Sequence, residues 1–307
     1  MGDLTNSIFA GNRKTQYDAI AKKIISRKSV MAILVPYVIR EFNGLNPEDV
    51  LRYIEGDVFT NVPADPGLTN RPTGDRLVCL NTEDLEIYEG LIRFDILFYL
   101  VSQTVQKKII VNVEIQKDRP SNYKLFNRSV YYSCRMISSQ KERDFAGMNY
   151  DDIKDVYSVW ICMNMPEDST VFRSFKSEKV LGNYSWDENP NILNVCQIGI
   201  SKEVANENRR HPIHRLLGIL FTNDLKAEDK LEILEQEYGL AKKDFRKDVT
   251  AMCNLAEGLI EENEERIAEK ALKKGRTIED VADFMGLSVK RVQEIAENVK
   301  RTSVKQL

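Results

Sequence analysis

Apolar and polar residues alternate strictly in VNVEIQKD, Val111 to Asp118. Val111, Val113 and Ile115 fall on one side of a period-two strand, and Asn112, Glu114 and Gln116 on the other. LIRFDILFYLV and KIIVNVEIQ are two extended runs joined by SQTVQK, which predicts an antiparallel hairpin. Two later runs, VYSVWICMNM and ILNVCQIGIS, also read as strands. Helical spacing governs most of the rest. Ile20, Ile24, Ile25, Ile33, Leu34 and Val38 mark a helix over Gln16–Asn43 that Pro36 is expected to kink, and a short helix follows Pro47-Glu48-Asp49 with Val50, Leu51 and Ile54. VPADPGLTNRPTG, Val62 to Gly74, reads as a loop because prolines and glycines crowd it. NYKLFNRSVYYSCRMISSQ predicts a helix over Asn122–Gln140 with Arg128, Tyr131, Tyr132 and Arg135 within one face's spacing. From Pro212 onward the pattern is helical and charged, through HRLLGILF, KLEILEQEYG and a long run from Asp244 to Lys274.

The order of elements predicts an α/β fold: a mixed sheet flanked by helices, with an α-helical C-terminal region. The expected division is a polar, mobile N-terminus over 1–15, a sheet domain over 16–210 and helices over 211–307, including a helix-turn-helix-like segment at 277–297. A hydrophobic fraction of 42% suits a folded protein with a substantial core, and the net charge of −3 supplies no whole-molecule field that would draw in a polyanion. Any nucleic-acid site must therefore be local. Cys79, Cys134, Cys162, Cys196 and Cys253 are odd in number and lack any CxxC, which fits reduced thiols and a cytoplasmic location. The first apolar run, VMAILVPYVI, is too short to span a bilayer, so a soluble protein is expected.

Hairpin arithmetic brings two acids together. In a symmetric hairpin the paired residue numbers sum to a constant, which is 209 for a turn centred between Thr104 and Val105; 95 and 114 meet it. Asp95 and Glu114 would then face each other with Cβ atoms about 5 Å apart, and two carboxylates so close repel unless a cation lies between them. Spacing alone favours two solvated positions on an exposed sheet face. The conjunction favours chemistry: opposed acids, Gln116 in step with them, and a helix rich in Arg and Tyr directly after. Mg²⁺ or Mn²⁺ held by one or two carboxylates and a substrate phosphate could act on a phosphodiester.

The segments EGLIRFDI, VNVEIQ, RSVYYSCRMISSQ and VYSVWICMN together resemble the bacterial PD-(D/E)XK nuclease family transposases, which are related to the recombination-promoting nucleases. The resemblance is close over Ile33 to Met165 and looser beyond. It implies a restriction-endonuclease-like fold and a metal-dependent DNA endonuclease linked to recombination or mobile elements. Asp95 and Glu114 would be the metal-binding acids, the Ile115 carbonyl a further ligand, and Gln116 the occupant of the position where most of the superfamily has lysine. Arg128, Tyr132 and Arg135 would face the cleft and touch phosphate. An acid from the first helix completes many such sites, with Glu41 the first candidate here and Glu55 and Glu89 its rivals. Phe94 departs from the motif's proline. Neutral Gln116 cannot act as a base, so activity should depend strictly on metal or be lost, leaving a non-catalytic DNA-binding or regulatory protein on a degenerate nuclease fold.

His211 and His214, the two histidines, share an i, i+3 spacing but have no acid or cysteine beside them, and are expected at the surface or capping a helix. TIEDVADFMGLSVKRVQEI places Ala282, Gly286 and Val292 at helix-turn-helix intervals, which would put Lys290 and Arg291 on a helix that enters a major groove. With only two helices evident, a packing hairpin or partner-docking arm fits the segment equally well. The charged run around EGLIEENEERIAEKALKK reads as a solvated helix, and its apolar residues would also serve a self-association seam. The expected partner is DNA, with RNA left open, and cutting both strands would favour a homodimer.

Overall fold

The computed structural model describes residues 2–64, 92–102, 107–117, 120–184, 186, 191–201 and 211–304. It divides into two compact units, one formed by residues 21–245 and the other by residues 1–20 with 246–307.

The larger unit holds a six-stranded mixed sheet. Its strands are β1 (Ile54–Ala64), β2 (Ile92–Ser102), β3 (Lys107–Gln116), β4 (Asp155–Met165), β5 (Ser169–Ser174) and β6 (Leu193–Ser201), ordered β1-β2-β3-β4-β6-β5. β1, β2 and β3 are antiparallel neighbours, β3, β4 and β6 run parallel, and β5 returns antiparallel on the outer edge. The hairpin register is the one the arithmetic requires: Ile96 pairs with Val113 and Ser102 with Lys107, each pair summing to 209. The parallel step from β3 to β4 needs a crossover, and α4 (Leu125–Ser138) supplies it. β4 is buried on both faces from Asp155 to Met163, which explains its unbroken apolar run.

Neither β1 nor β5 is evident in the sequence. β1 contains Gly56 and Pro63, and the proline is tolerated because β1 is an edge strand. It begins at Ile54, where the short helix α3 (Pro47–Tyr53) ends, and occupies the first part of the stretch read as a loop; residues 65–74 of that stretch lie outside the described residues. The predicted helix over Gln16–Asn43 is two helices. α1 (Gly2–Ile25) starts well before Gln16, so the N-terminus expected to be mobile is helical. α2 (Lys28–Val38) follows a break at Ser26-Arg27. Pro36 lies inside α2, which ends two residues later, so the break falls before the proline's turn and not at it. A 3₁₀ turn follows at Arg40–Phe42. α5 (Pro212–Phe221) and α6 (Ala227–Tyr238) also belong to the sheet unit.

In the smaller unit, α7 (Lys242–Lys273) contributes its residues from Arg246 onward, followed by α8 (Ile278–Met285) and α9 (Val289–Val304). Ala268 of α7, Val281 and Ala282 of α8, and Val292 and Ile295 of α9 form one buried cluster, flanked by Ala271, Leu272, Met285 and Leu287. The turn between α8 and α9 needs a left-handed residue, and Gly286 provides it at φ +65°. Among the described residues, no helix is long and apolar enough to cross a membrane. Cys134, Cys162, Cys196 and Cys253 carry free thiols, and Cys79 lies outside the described residues.

Candidate metal and phosphate site

The site begins where the β2–β3 ladder stops. Beyond the Ile96–Val113 pair the two carboxylates take over the role of the backbone carbonyls: the Asp95 N–H donates to Glu114 Oε1 at 3.1 Å, and the Ile115 N–H donates to Asp95 Oδ2 at 3.1 Å. Each acid thus satisfies an amide of the opposite strand. Hydrogen bonds of this kind contribute about 1 kcal/mol each and fix where each carboxyl group points. This accounts for an acid on the polar side of β3, because Glu114 serves both as a strand residue and as a cross-strand acceptor.

Glu114 is only 1% exposed. Burial, and then the charge of Asp95, push its carboxyl up to about 8; the Asp95 N–H, Arg128 and Asn112 pull the other way without cancelling the rise. The metal-free site therefore holds a proton on Glu114 at neutral pH. Asp95 has a different counter-ion. The ammonium of Lys22, in the last turn of α1, lies 2.6 Å from Asp95 Oδ1, with the lysine side chain 29% exposed and the aspartate 14%. Sequence reading missed this lysine, since nothing in the spacing of a distant helix signals contact with the hairpin.

α4 supplies the second cation. Arg128 Nη1 donates to the Tyr123 hydroxyl and Nη2 to the Tyr132 hydroxyl, both at 2.8 Å, and the guanidinium lies 5.4 Å from the Trp160 ring centre. Trp160 sits opposite Glu114 in the parallel β3–β4 register and so shares its face. Tyr132 packs edge-on against both Trp160 and Phe94, which gives the nonconforming Phe94 a packing role beside the acid pair. Arg128 is thus held as a preorganised cation whose charge reaches Glu114.

The other expected residues distribute as follows. Gln116 is one pleat beyond Glu114 on the same face, opposite Cys162. Arg135 is two helical turns from Arg128, about 10 Å along α4, is buried, and donates to the Tyr131 hydroxyl at 3.3 Å. Glu41 is not with the pair. Its Oε2 accepts from the Tyr157 hydroxyl at 2.7 Å, and the register that sets Val111 opposite Tyr157 and Glu114 opposite Trp160 puts Tyr157 on the face away from Glu114. Glu55 pairs with Lys108 at 2.5 Å, six residues and about 20 Å along β3 from Glu114. Glu89 lies outside the described residues. In the smaller unit Lys290 is exposed, while Arg291 pairs with Glu265 at 3.0 Å and Glu294 at 3.7 Å. His211 takes the N-cap position of α5 without capping it through its side chain. His214 is buried, contrary to the surface expectation, with Nε2 3.2 Å from Thr170 Oγ1 and 3.1 Å from the Ser169 carbonyl.

Among the described residues no cluster of three or more His, Cys, Asp or Glu side chains converges on a metal position. A hard divalent cation does not require one, because one or two carboxylates suffice when phosphate and water complete its shell. The donors here are all oxygen, and an ammonium already lies against Asp95, so the residues fit such an ion.

No curated protein and no solved structure matches the chain. Residues 81–179 match the model of the PD-(D/E)XK nuclease family transposases, and the hairpin, its two acids and α4 lie within the matched segment.

Proposed function

We propose that this protein is a metal-dependent DNA endonuclease whose centre is the Asp95–Glu114 pair. The observation that carries the reading is the pair's interlock, in which each carboxylate is oriented by the other strand's amide. A divalent ion bound there would polarise the phosphodiester and activate water. Asp95 and Glu114 would hold it, Glu114 in its deprotonated form. Arg128, immobilised by two tyrosine hydroxyls, orients a phosphate oxygen. Lys22 supplies the cation that Gln116 does not, its flexible arm turning from Asp95 toward the bound phosphate.

The test is nicking of supercoiled plasmid with Mg²⁺, Mn²⁺ or EDTA. Metal-dependent nicking is expected, and its absence with every metal would favour the DNA-binding protein on a retired nuclease fold that Gln116 makes credible. Lys22→Ala should slow cleavage by about 10–100-fold, and Gln116→Lys in that background should recover part of it. Wild-type rates in Lys22→Ala would remove the lysine from the mechanism.

Arg128→Lys should not behave as a conservative change, because an ammonium cannot span both tyrosine hydroxyls as the guanidinium does. Weaker duplex binding is expected from Arg128→Ala in EDTA, with the slope of log affinity against log salt reduced by about one. An unchanged slope would mean that Arg128 makes no phosphate contact.

A further inference from the structure

The nuclease reading leaves the smaller unit unused. Its helices do more than form a hairpin: the end of α7 supplies the third helix that sequence spacing did not reveal, through Ala268, Ala271 and Leu272 packed against Val281, Ala282, Val292 and Ile295. The small Ala282 allows close approach of α8 and α9, Gly286 makes the turn, and Val292 anchors α9 in the core. Both helix starts are capped: Thr277 Oγ1 accepts from the Asp280 N–H at 3.1 Å, and Ser288 Oγ from the Arg291 N–H at 3.2 Å. With Val292 and Ile295 turned inward, the start of α9 presents Ser288, Val289, Lys290 and Gln293 outward, all exposed. This is the geometry of a recognition helix, whose N-terminal residues reach base edges.

Charge and chemistry agree with a duplex as the occupant. Lys270 to Leu307 carries nine Lys or Arg against five Asp or Glu, a net of +4, in a chain whose total is −3. The body of α7 ahead of it, residues 242–269, carries five Lys or Arg against eight Asp or Glu, so the attraction for a polyanion comes from the end of α7, the turn after it and α9, not from the three helices as a whole. Glu294 is the acid that would oppose a phosphate at the start of α9, and Arg291 lies 3.7 Å from it while also bridging to Glu265 of α7. Arg291 therefore braces the unit and is not a reader. The side chains left to read are Gln293, suited to an adenine edge, Lys290, suited to guanine, and Val289, an apolar contact for a thymine methyl.

We infer that α7, α8 and α9 form a sequence-reading duplex-DNA module, with Lys290 and Gln293 as its base-contacting residues. The inference stands apart from the nuclease centre, and its test needs no cleavage. The full-length protein in EDTA is used to select from a randomised duplex library, alongside the double variant Lys290→Ala/Gln293→Ala. Wild type should enrich one motif, and the double variant should lose about tenfold or more of that enrichment. Lys290 and Gln293 are exposed, so the double variant should keep its fold, which circular dichroism checks. Failure of wild type to enrich any motif, or enrichment of the same motif to the same degree by the folded double variant, would overturn the assignment.

Discussion

Asp95→Ala is expected to stop metal-dependent nicking of supercoiled plasmid while duplex binding in EDTA persists. The substitution removes one of two carboxylate donors, the acceptor of the Ile115 N–H and the counter-ion of Lys22. Several kcal/mol of transition-state stabilisation by a cation would go with it, which corresponds to about a thousandfold or more in rate. Binding should survive because an anion is lost from a surface that meets phosphates. Asp95→Asn is the stricter version, since it keeps the shape and an acceptor for Ile115 but loses the charge. If Asp95→Asn nicked at the wild-type rate, the centre would have to lie elsewhere. Isothermal titration of Mn²⁺ provides a readout apart from turnover, with loss of the binding heat expected in both variants.

Glu114 should make the metal-free protein less stable as pH rises. Its carboxyl ionises near the ordinary value of 4.5 when the chain is unfolded and near about 8 when folded. Below pH 4.5 both states hold the proton. Between these values the folded state binds more protons than the unfolded one, so stability falls with increasing pH, and above about 8 the loss is complete. Each unit of the difference is worth about 1.4 kcal/mol, so the total loss is on the order of a few kcal/mol. Urea midpoints from pH 5 to pH 9 in EDTA should therefore decline for wild type. Glu114→Gln, neutral at every pH and able to accept from the Asp95 N–H, should show a flatter profile. Parallel profiles would mean that Glu114 does not hold the buried proton. In wild type, added Mn²⁺ should recover stability at pH 8, because an ion that binds only the folded state shifts unfolding by mass action.

Much of this site is legible in the sequence. The period-two alternation identified the β3 strand, and the 209 register placed Asp95 across from Glu114 because a tight hairpin determines its own pairing. The spacing of Arg128 and Tyr132 on one helix face is likewise local information, and the structure joins them at 2.8 Å. Ala282, Gly286 and Val292 announced a turn between two helices for the same reason.

What could not be read were contacts whose two partners lie far apart in the chain. Lys22 and Asp95 are separated by the helices α2 and α3 and the strand β1, and no periodicity links them. Glu41 looked like the missing acid from its place near the first helices, but the pleat decides which face a neighbour serves, and Tyr157 holds it on the other one. The third helix of the smaller unit was hidden inside a long charged run, where Ala268 and Leu272 gain meaning only from what packs on them. Local periodicity was enough to predict β2, β3, β4 and β6, the hairpin register, the opposed acids and the turn at Gly286, since these depend on the period of side chains along one continuous stretch, whereas the edge strands β1 and β5 carry no such period. Tertiary structure alone decided which cation meets Asp95, which acids stay away, and that Glu114 is buried enough to keep its proton, because charge pairing and desolvation depend on distances between elements that sequence separation does not encode.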